Sequence, residues 1–271
     1  MKSNNSENIS RNFQNSEEFQ DVEINISDLK KYCNELQNEF QNYDFSNKKL
    51  TEGQKAVLAN FPGDLDKLAK EIEQIQKEGS EFDIDETDPR KRIVQEQKKQ
   101  KNQERLKQIT AEVFIASCAS PKPIEESLEF HKKNNLGVEA LNNFNKNDVN
   151  PLTAILASGK NTQDLEKFLK VEGVDVNHKS QQTGSTALHK SAEMGVENES
   201  IQTLISNGGD INLKNNLGFT ALDISIAKGD EKMSKFLIEK GGKSNKFFNA
   251  KTEQNEGRTR KIGDKKDNSL E

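Results

Sequence analysis

Trp is absent from this chain of 271 residues, and Tyr, Cys, His and Pro occur only two, two, three and five times. Hydrophobic residues make up 31%, no more than the 31% that carry charge, against an apolar share of roughly 45–50% with Gly counted in globular domains. With that deficit, one large, deeply buried core through all 271 residues is not expected. A smaller folded region with polar helical or disordered extensions is expected instead. Cys33 and Cys118 are far apart and form no metal-ligand pair, so neither a disulfide framework nor a Cys-based metal site is expected, and a reducing compartment is the simpler setting. His131, His178 and His189 have no Cys or His neighbours. No zinc site and no catalytic triad is therefore expected. No run of about 18 apolar residues exists for a membrane span, and the polar first 25 residues lack the apolar core of a Sec-type leader. No Gly-rich phosphate loop is recognisable: Gly208-Gly209 and Gly241-Gly242 read as helix ends.

What is present is helical periodicity. Residues 1–25 are polar and expected to be disordered. A helical region is expected over 26–118. Its first helix runs from Ser27 to Tyr43 with Leu29, Cys33, Leu36, Phe40 and Tyr43 on one stripe, which makes Cys33 a core residue rather than a nucleophile. A short helix follows from Thr51, and another from Asp64 to Lys77 carries Leu65, Leu68, Ile72 and Ile75. Asp88-Pro89 reads as an N-cap with Pro at the first helical position, opening a helix that continues to about Ser117. Charge changes sign between the last two: Asp64–Asp88 holds ten acidic and three basic residues, and Arg90–Lys107 eight basic and two acidic. An antiparallel hairpin of opposite charge, or a short coiled coil able to dimerise, follows from this. The basic stretch 90–107 also allows nucleic-acid or anionic-lipid contact by charge neutralisation. With no aromatic residue interleaved for base stacking, a solvated face beside an acidic neighbour is the preferred reading.

The C-terminal half repeats itself. Asn150-Pro151-Leu152 through Gly159, Thr186-Ala187-Leu188-His189 through Gly195, and Thr220-Ala221-Leu222-Asp223 through Gly229 each place a glycine seven residues after the leucine. Leu152 and Leu188 are 36 residues apart, Leu188 and Leu222 34. Second halves align too: Leu165, Phe168 and Leu169; Ile201, Leu204 and Ile205; Met233, Phe236 and Leu237. Each ends in glycine followed by a short polar stretch, Gly173–Asn177, Gly208–Asn212 and Gly241–Asn245. A helix pair of this kind cannot bury its own apolar face, so neighbours must stack.

This pattern resembles the ankyrin repeat, with its period of about 33 residues and Thr-Pro-Leu-His opening. The resemblance covers residues 140–245, a little over a third of the chain. It implies an all-α fold: a short solenoid of helix-turn-helix pairs at 150–248 (150–181, 182–215 and 216–248), preceded by a capping helix or degenerate half repeat at 121–149, by the partly coiled-coil-like helical region, and followed by a disordered basic tail at 249–271. Leu152, Gly159, Thr186, Leu188, His189, Gly195, Thr220, Leu222 and Gly229 become the structural motif, with His189 bonding between repeats. The resemblance also implies a non-enzymatic adaptor that binds another protein, with no cofactor, no metal and no small-molecule substrate. Carried over, its partner contacts are His178, Lys179, Gln181, Ser185, Lys190, Lys214, Asn215, Asn216 and Phe219. Nucleic acid bound through helix 90–107 is the alternative. The chain also resembles the small ankyrin proteins of intracellular bacteria, which implies a cytoplasmic protein or an effector exported to a host cell without a Sec-type leader.

Overall fold

The structure, a computed structural model, describes residues 24–44, 48–80 and 89–245. The ends expected to be disordered therefore lie outside the described residues except for Ile24 and Asn25. Twelve helices follow one another, with no strand among the described residues: α1 Ile26–Asn42, α2 Glu52–Leu58, α3 Phe61–Ser80, α4 Pro89–Ala119, α5 Ile124–Lys133, α6 Val138–Asn142, α7 Pro151–Ala157, α8 Thr162–Leu169, α9 Ala187–Met194, α10 Asn198–Ser206, α11 Ala221–Ala227 and α12 Glu231–Glu239.

The first helix starts at Ile26, one residue before the expected Ser27, and is capped by Asn25, whose Oδ1 accepts from Asp28 N at 3.0 Å. The apolar stripes of α1 and α3 bury each other, and Phe40 stacks on Phe61 with ring centroids 5.4 Å apart. The Cys33 thiol donates to Leu65 O at 3.4 Å. Helices α3 and α4 run antiparallel with their charges facing: Arg105 reaches Glu71 at 2.6 Å and Lys98 reaches Glu78 at 3.3 Å. Such half-exposed pairs contribute at most about 1 kcal/mol each, so the buried stripes carry the packing. At 31 residues, α4 is about 46 Å long. Its first half is exposed; from Leu106 onward it is a core element.

Three helix pairs, α7/α8, α9/α10 and α11/α12, stack through their first helices, α7 on α9 and α9 on α11. Each turn within a pair holds a glycine with positive φ, Gly159 at 60°, Gly195 at 69° and Gly229 at 72°, where an L side chain would be strained. A fourth pair precedes these and was not separable by sequence spacing. The end of α4 packs on α7, and α5 on α8. Shifted by 38 residues, Phe114, Ser127 and Phe130 take the buried places of Leu152, Leu165 and Phe168. Ser120 and Ser158 both donate back to the carbonyl three residues earlier.

The same order is written in polar groups. Asn142 Nδ2 donates to Gly173 O and Asn142 Oδ1 accepts from Asp175 N, both at 2.8 Å. Asn177 repeats this with Gly208 O and Asp210 N at 2.9 and 2.8 Å. Asn212 does so again with Gly241 O and Lys243 N at 3.3 and 2.8 Å. One ladder of asparagines thus ties four consecutive units, satisfying loop backbone groups that no regular element pairs.

Candidate protein-interaction surface on the repeat loops

The loops between units are tight hairpins in register. Ser180 N donates to Ser185 O at 2.9 Å, and Asn215 N to Phe219 O at 2.9 Å. Asn145 N meets Val149 O at 2.8 Å in the first loop. Gly184 and Gly218 take positive φ of 68° and 79°; the corresponding residue of the first loop is Asp148 at 59°. Asp is one of the few residues other than Gly that visit that conformation, and Asp148 is held in it by partners distant in sequence. Here the carboxylate accepts from the Ser180 hydroxyl, from Thr183 Oγ1 at 2.9 Å and from Lys190 Nζ at 2.6 Å. Neighbouring tips are also joined side by side. Asn216 N donates to Thr183 O at 2.9 Å, Lys179 Nζ to Lys214 O at 2.9 Å, and Phe144 stacks on His178 at 6.1 Å. The tips form one continuous ridge.

The residues singled out from sequence separate into two groups on this frame. Lys179, Gln181, Lys214 and Asn216 are exposed on the ridge, with His178, Asn215 and Phe219 half-buried beside them. Ser185 requires correction. It is fully buried, and its hydroxyl meets no hydrogen-bond partner among the described residues, so it offers nothing to an approaching chain. Lys190 is mostly enclosed between Asp148 and Glu193, at 2.6 and 3.0 Å. Burial acts to lower its pKa, but those two carboxylates more than offset it and hold the ammonium charged above its ordinary range. Leu217, passed over in the sequence, is the most exposed large apolar side chain of the loops, at 76%. Its signal was available in Asn216-Leu217-Gly218: a residue next to a positive-φ glycine at a hairpin apex has no neighbour to cover it.

The structural motif is satisfied within and between units. Thr220 and Asp223 form a capping box, as do Asn150 and Thr153. Leu152, Leu188 and Leu222 are all buried. His189 is buried as well. Its Nδ1 accepts from Thr186 N at 3.1 Å, and Nε2 lies 2.9 Å from Phe219 O in the next loop, which fixes the tautomer with the proton on Nε2.

First helices differ in how much surface they retain. Every residue of α7 is buried, whereas α9 leaves Lys190 and Glu193 partly open, and α11 leaves Ile224, Ile226 and Ala227, followed by the exposed C-cap Lys228. The N-terminal helices cover the start of this series: α4 and α2 lie on α7, and α2 also packs on α9.

Other chemistry is poorly housed. Burial pushes the Cys33 and Cys118 thiols up to about 11 and about 12, so neither supplies a thiolate near neutrality. Burial pulls Lys160 down to about 8 while its ammonium donates to Ser120 O at 2.5 Å and to Lys122 O, closing the C-terminal end of α4. Among the described residues no group of three or more His, Cys, Asp or Glu is placed to hold a metal ion, and no helix is long and apolar enough to cross a membrane. Within the basic stretch, Lys98 and Arg105 are engaged by α3, while Arg92, Lys99 and Lys101 are exposed.

A family model described as ankyrin repeats matches residues 152–248, in three copies. Ankyrin repeats as a class mediate protein–protein interaction. The stacked pairs, their glycine turns and their threonine and asparagine caps agree with that match: residues 152–248 of this chain are ankyrin repeats.

Proposed function

We propose that the chain is a non-enzymatic adaptor whose second and third loops, together with the open face of α11, hold a segment of another protein. The observation that carries this reading is Leu217, 76% exposed at the apex of the third loop. A single exposed apolar side chain is ordinary on a protein surface; Leu217 bears on binding because it stands at the apex of a joined ridge of loops in matched ankyrin repeats, where an apolar anchor with a polar rim is the usual anatomy of an interface. The rim here is exposed Lys179 and Lys214 with Gln181 and Asn216. A partner segment presenting an apolar pocket edged by acidic groups fits that combination.

The test is affinity capture with the full chain and with Leu217→Asp. The variant is expected to lose the captured partner at least about tenfold, while its melting temperature stays where the native chain's is, because the side chain packs on little. Equal capture by both proteins would sink the ridge assignment. Phe219 makes the contrasting case. Its ring is half-buried, so Phe219→Ala removes packing and is expected to lower the melting temperature as well as any binding, while the backbone carbonyl that receives His189 stays in place. Export to a host cell, suggested by likeness to small bacterial ankyrin proteins, is a separate proposal. Fractionation of infected host cells decides it, and strict retention in the producing cell would end it.

A further inference from the structure

The segment 48–58 lies across the ends of two repeats in the manner of a bound ligand. Thr51 and Gln54 form a reciprocal capping box at the start of α2, with Thr51 N to Gln54 Oε1 at 3.0 Å and Gln54 N to Thr51 Oγ1 at 3.1 Å. The same two side chains then reach outward. Thr51 Oγ1 donates to Met194 O at the end of α9, and Gln54 Nε2 to Leu156 O at the end of α7, at 2.8 Å. Lys48 Nζ adds Ser158 O at 3.1 Å. Carbonyls in the last turn of a helix have no partner within the helix, so the ends of α7 and α9 offer a row of acceptors, and this segment answers with a row of donors.

The fit is close where it matters. A Cβ on Gly53 would stand 2.6 Å from Met194 Cα and 2.7 Å from Met194 O, a clash with backbone that cannot yield. A Cβ on Gly159 would stand 2.6 Å from Leu50 Cδ2. Yet the attachment is slight. Of the seven residues of α2 only Gln54 and Leu58 are buried; Leu50 and Val57 are half-buried, and Glu52, Lys55 and Ala56 face outward. An element with so few buried apolar groups opens at a lower free energy than the core to which it is attached.

We propose that α2 is an intramolecular stand-in, and that the groove across the ends of α7 and α9 is a second partner surface. It takes a short amphipathic helix from another protein with the chemistry of α2: Lys-x-Leu-Thr-x-small-Gln, then Leu four residues on. The partner helix binds by displacing α2, so the native chain is closed at this groove until that exchange occurs. This site is distinct from the loop ridge and does not depend on Leu217.

The experiment uses full-length protein and a fluorescent peptide of residues 48–60, read by anisotropy. Two variants open the groove by different routes: Gly53→Val by the backbone clash, and Thr51→Ala/Gln54→Ala by removing donors without bulk. Both are expected to bind the peptide at least about tenfold more tightly than the native chain, since occlusion divides affinity by the open fraction. Hydrogen exchange should rise only over 48–58, 156–159 and 193–195. Leu217→Asp should bind it as the native chain does, so failure of the ridge reading would not be mistaken for failure here. Absence of peptide binding to both variants, or loss of protection throughout the repeats, would make α2 a fixed part of the fold and overturn the proposal. So would a native dimer dissolved by the peptide, which would assign the groove to a second copy of the chain.

Discussion

Replacing His189 by Ala is expected to destabilise the repeats by about 2–4 kcal/mol, because it leaves buried Thr186 N–H and hydroxyl groups without their acceptor, and an orphaned buried polar group costs about 1–3 kcal/mol. A displaced denaturation midpoint with an unchanged slope would register this. His189→Asp should recover only part. The third repeat does use Asp at this position: Asp223 accepts from Thr220 N at 2.9 Å within its own unit. Its other oxygen, however, faces donors, Ser244 Oγ at 2.6 Å and Asn245 N at 2.9 Å. His189 instead faces an acceptor, the Phe219 carbonyl. The bridge between units therefore reverses its donor–acceptor sense from one repeat to the next. A carboxylate placed at 189 would cap its own helix and repel the next loop.

The same histidine sets part of the pH dependence. Burial holds His189 and His131 below the ordinary imidazole range, near 6.5 when unperturbed. A base with a depressed folded pKa binds fewer protons folded than unfolded, so its stabilising share is complete above about 6.5 and is lost as pH falls toward the folded value. Asp223 acts in a lower window. Burial acts to raise its pKa, but the Ser244 hydroxyl and the Thr220 and Asn245 amides outweigh it and hold the carboxyl down; that contribution disappears only as pH falls through its folded pKa. Native protein should thus lose stability in two stages on acidification. His189→Ala should reduce the first stage to the share that His131 supplies and leave the second, which urea titrations between pH 7 and 3 would resolve.

The three matched repeats were legible because their spacing reports packing directly: a leucine, a glycine seven residues later and an apolar set on the second helix all name positions that must be buried or must turn. The fourth pair was legible only as a capping helix or degenerate half repeat at 121–149, for reasons that lie in particular residues. Its first helix is the end of a 31-residue helix, so no threonine or asparagine cap marks where the unit starts. Ser127 stands where the next unit has Leu165, and Asp148 stands where later loops have Gly184 and Gly218. Asp148 is compensated by contacts distant in sequence, with Ser180, Thr183 and Lys190. On the ridge, the charged and amide residues could be placed from loop register alone. Burial of Ser185 could not, because it depends on which side of the hairpin faces the adjacent unit. The cap of Thr51 and Gln54 is a local motif, but the carbonyls it reaches are 102 and 143 residues away.

A chain beginning at Pro121 is expected not to unfold cooperatively, although it keeps all three matched repeats. In stacked-repeat proteins stability is a sum of unit terms and interfaces, and an end unit must bring a surface that needs no further neighbour. The first matched repeat does not bring one. Leu152, Ala154, Ile155 and Leu156 of α7 are all buried, and α7 lies against α4 and α2, both absent from the shortened chain. On the far side, Ile124 and Phe130 of α5 are buried in a unit whose first helix is supplied by α4, and Lys160 would lose the Ser120 carbonyl that compensates its burial. A graded version isolates the packing. Phe114 is fully buried with its ring 5.0 Å from His131, and Phe114→Ala should cost about 3–5 kcal/mol. That is a large part of the 5–15 kcal/mol typical of a whole domain, and the full-length variant should still melt in one transition, at lower temperature, because the helices ahead of the repeats and the repeats themselves share that residue. The shortened chain loses Phe114 together with Ile109, Val113, Ile115 and Ala116, more than such a margin allows. It should give a broad, weakly helical melt and bind a hydrophobic dye at room temperature. A sharp transition within a few degrees of the native one would instead mean that the matched repeats stand alone and that α4 is an ornament on them.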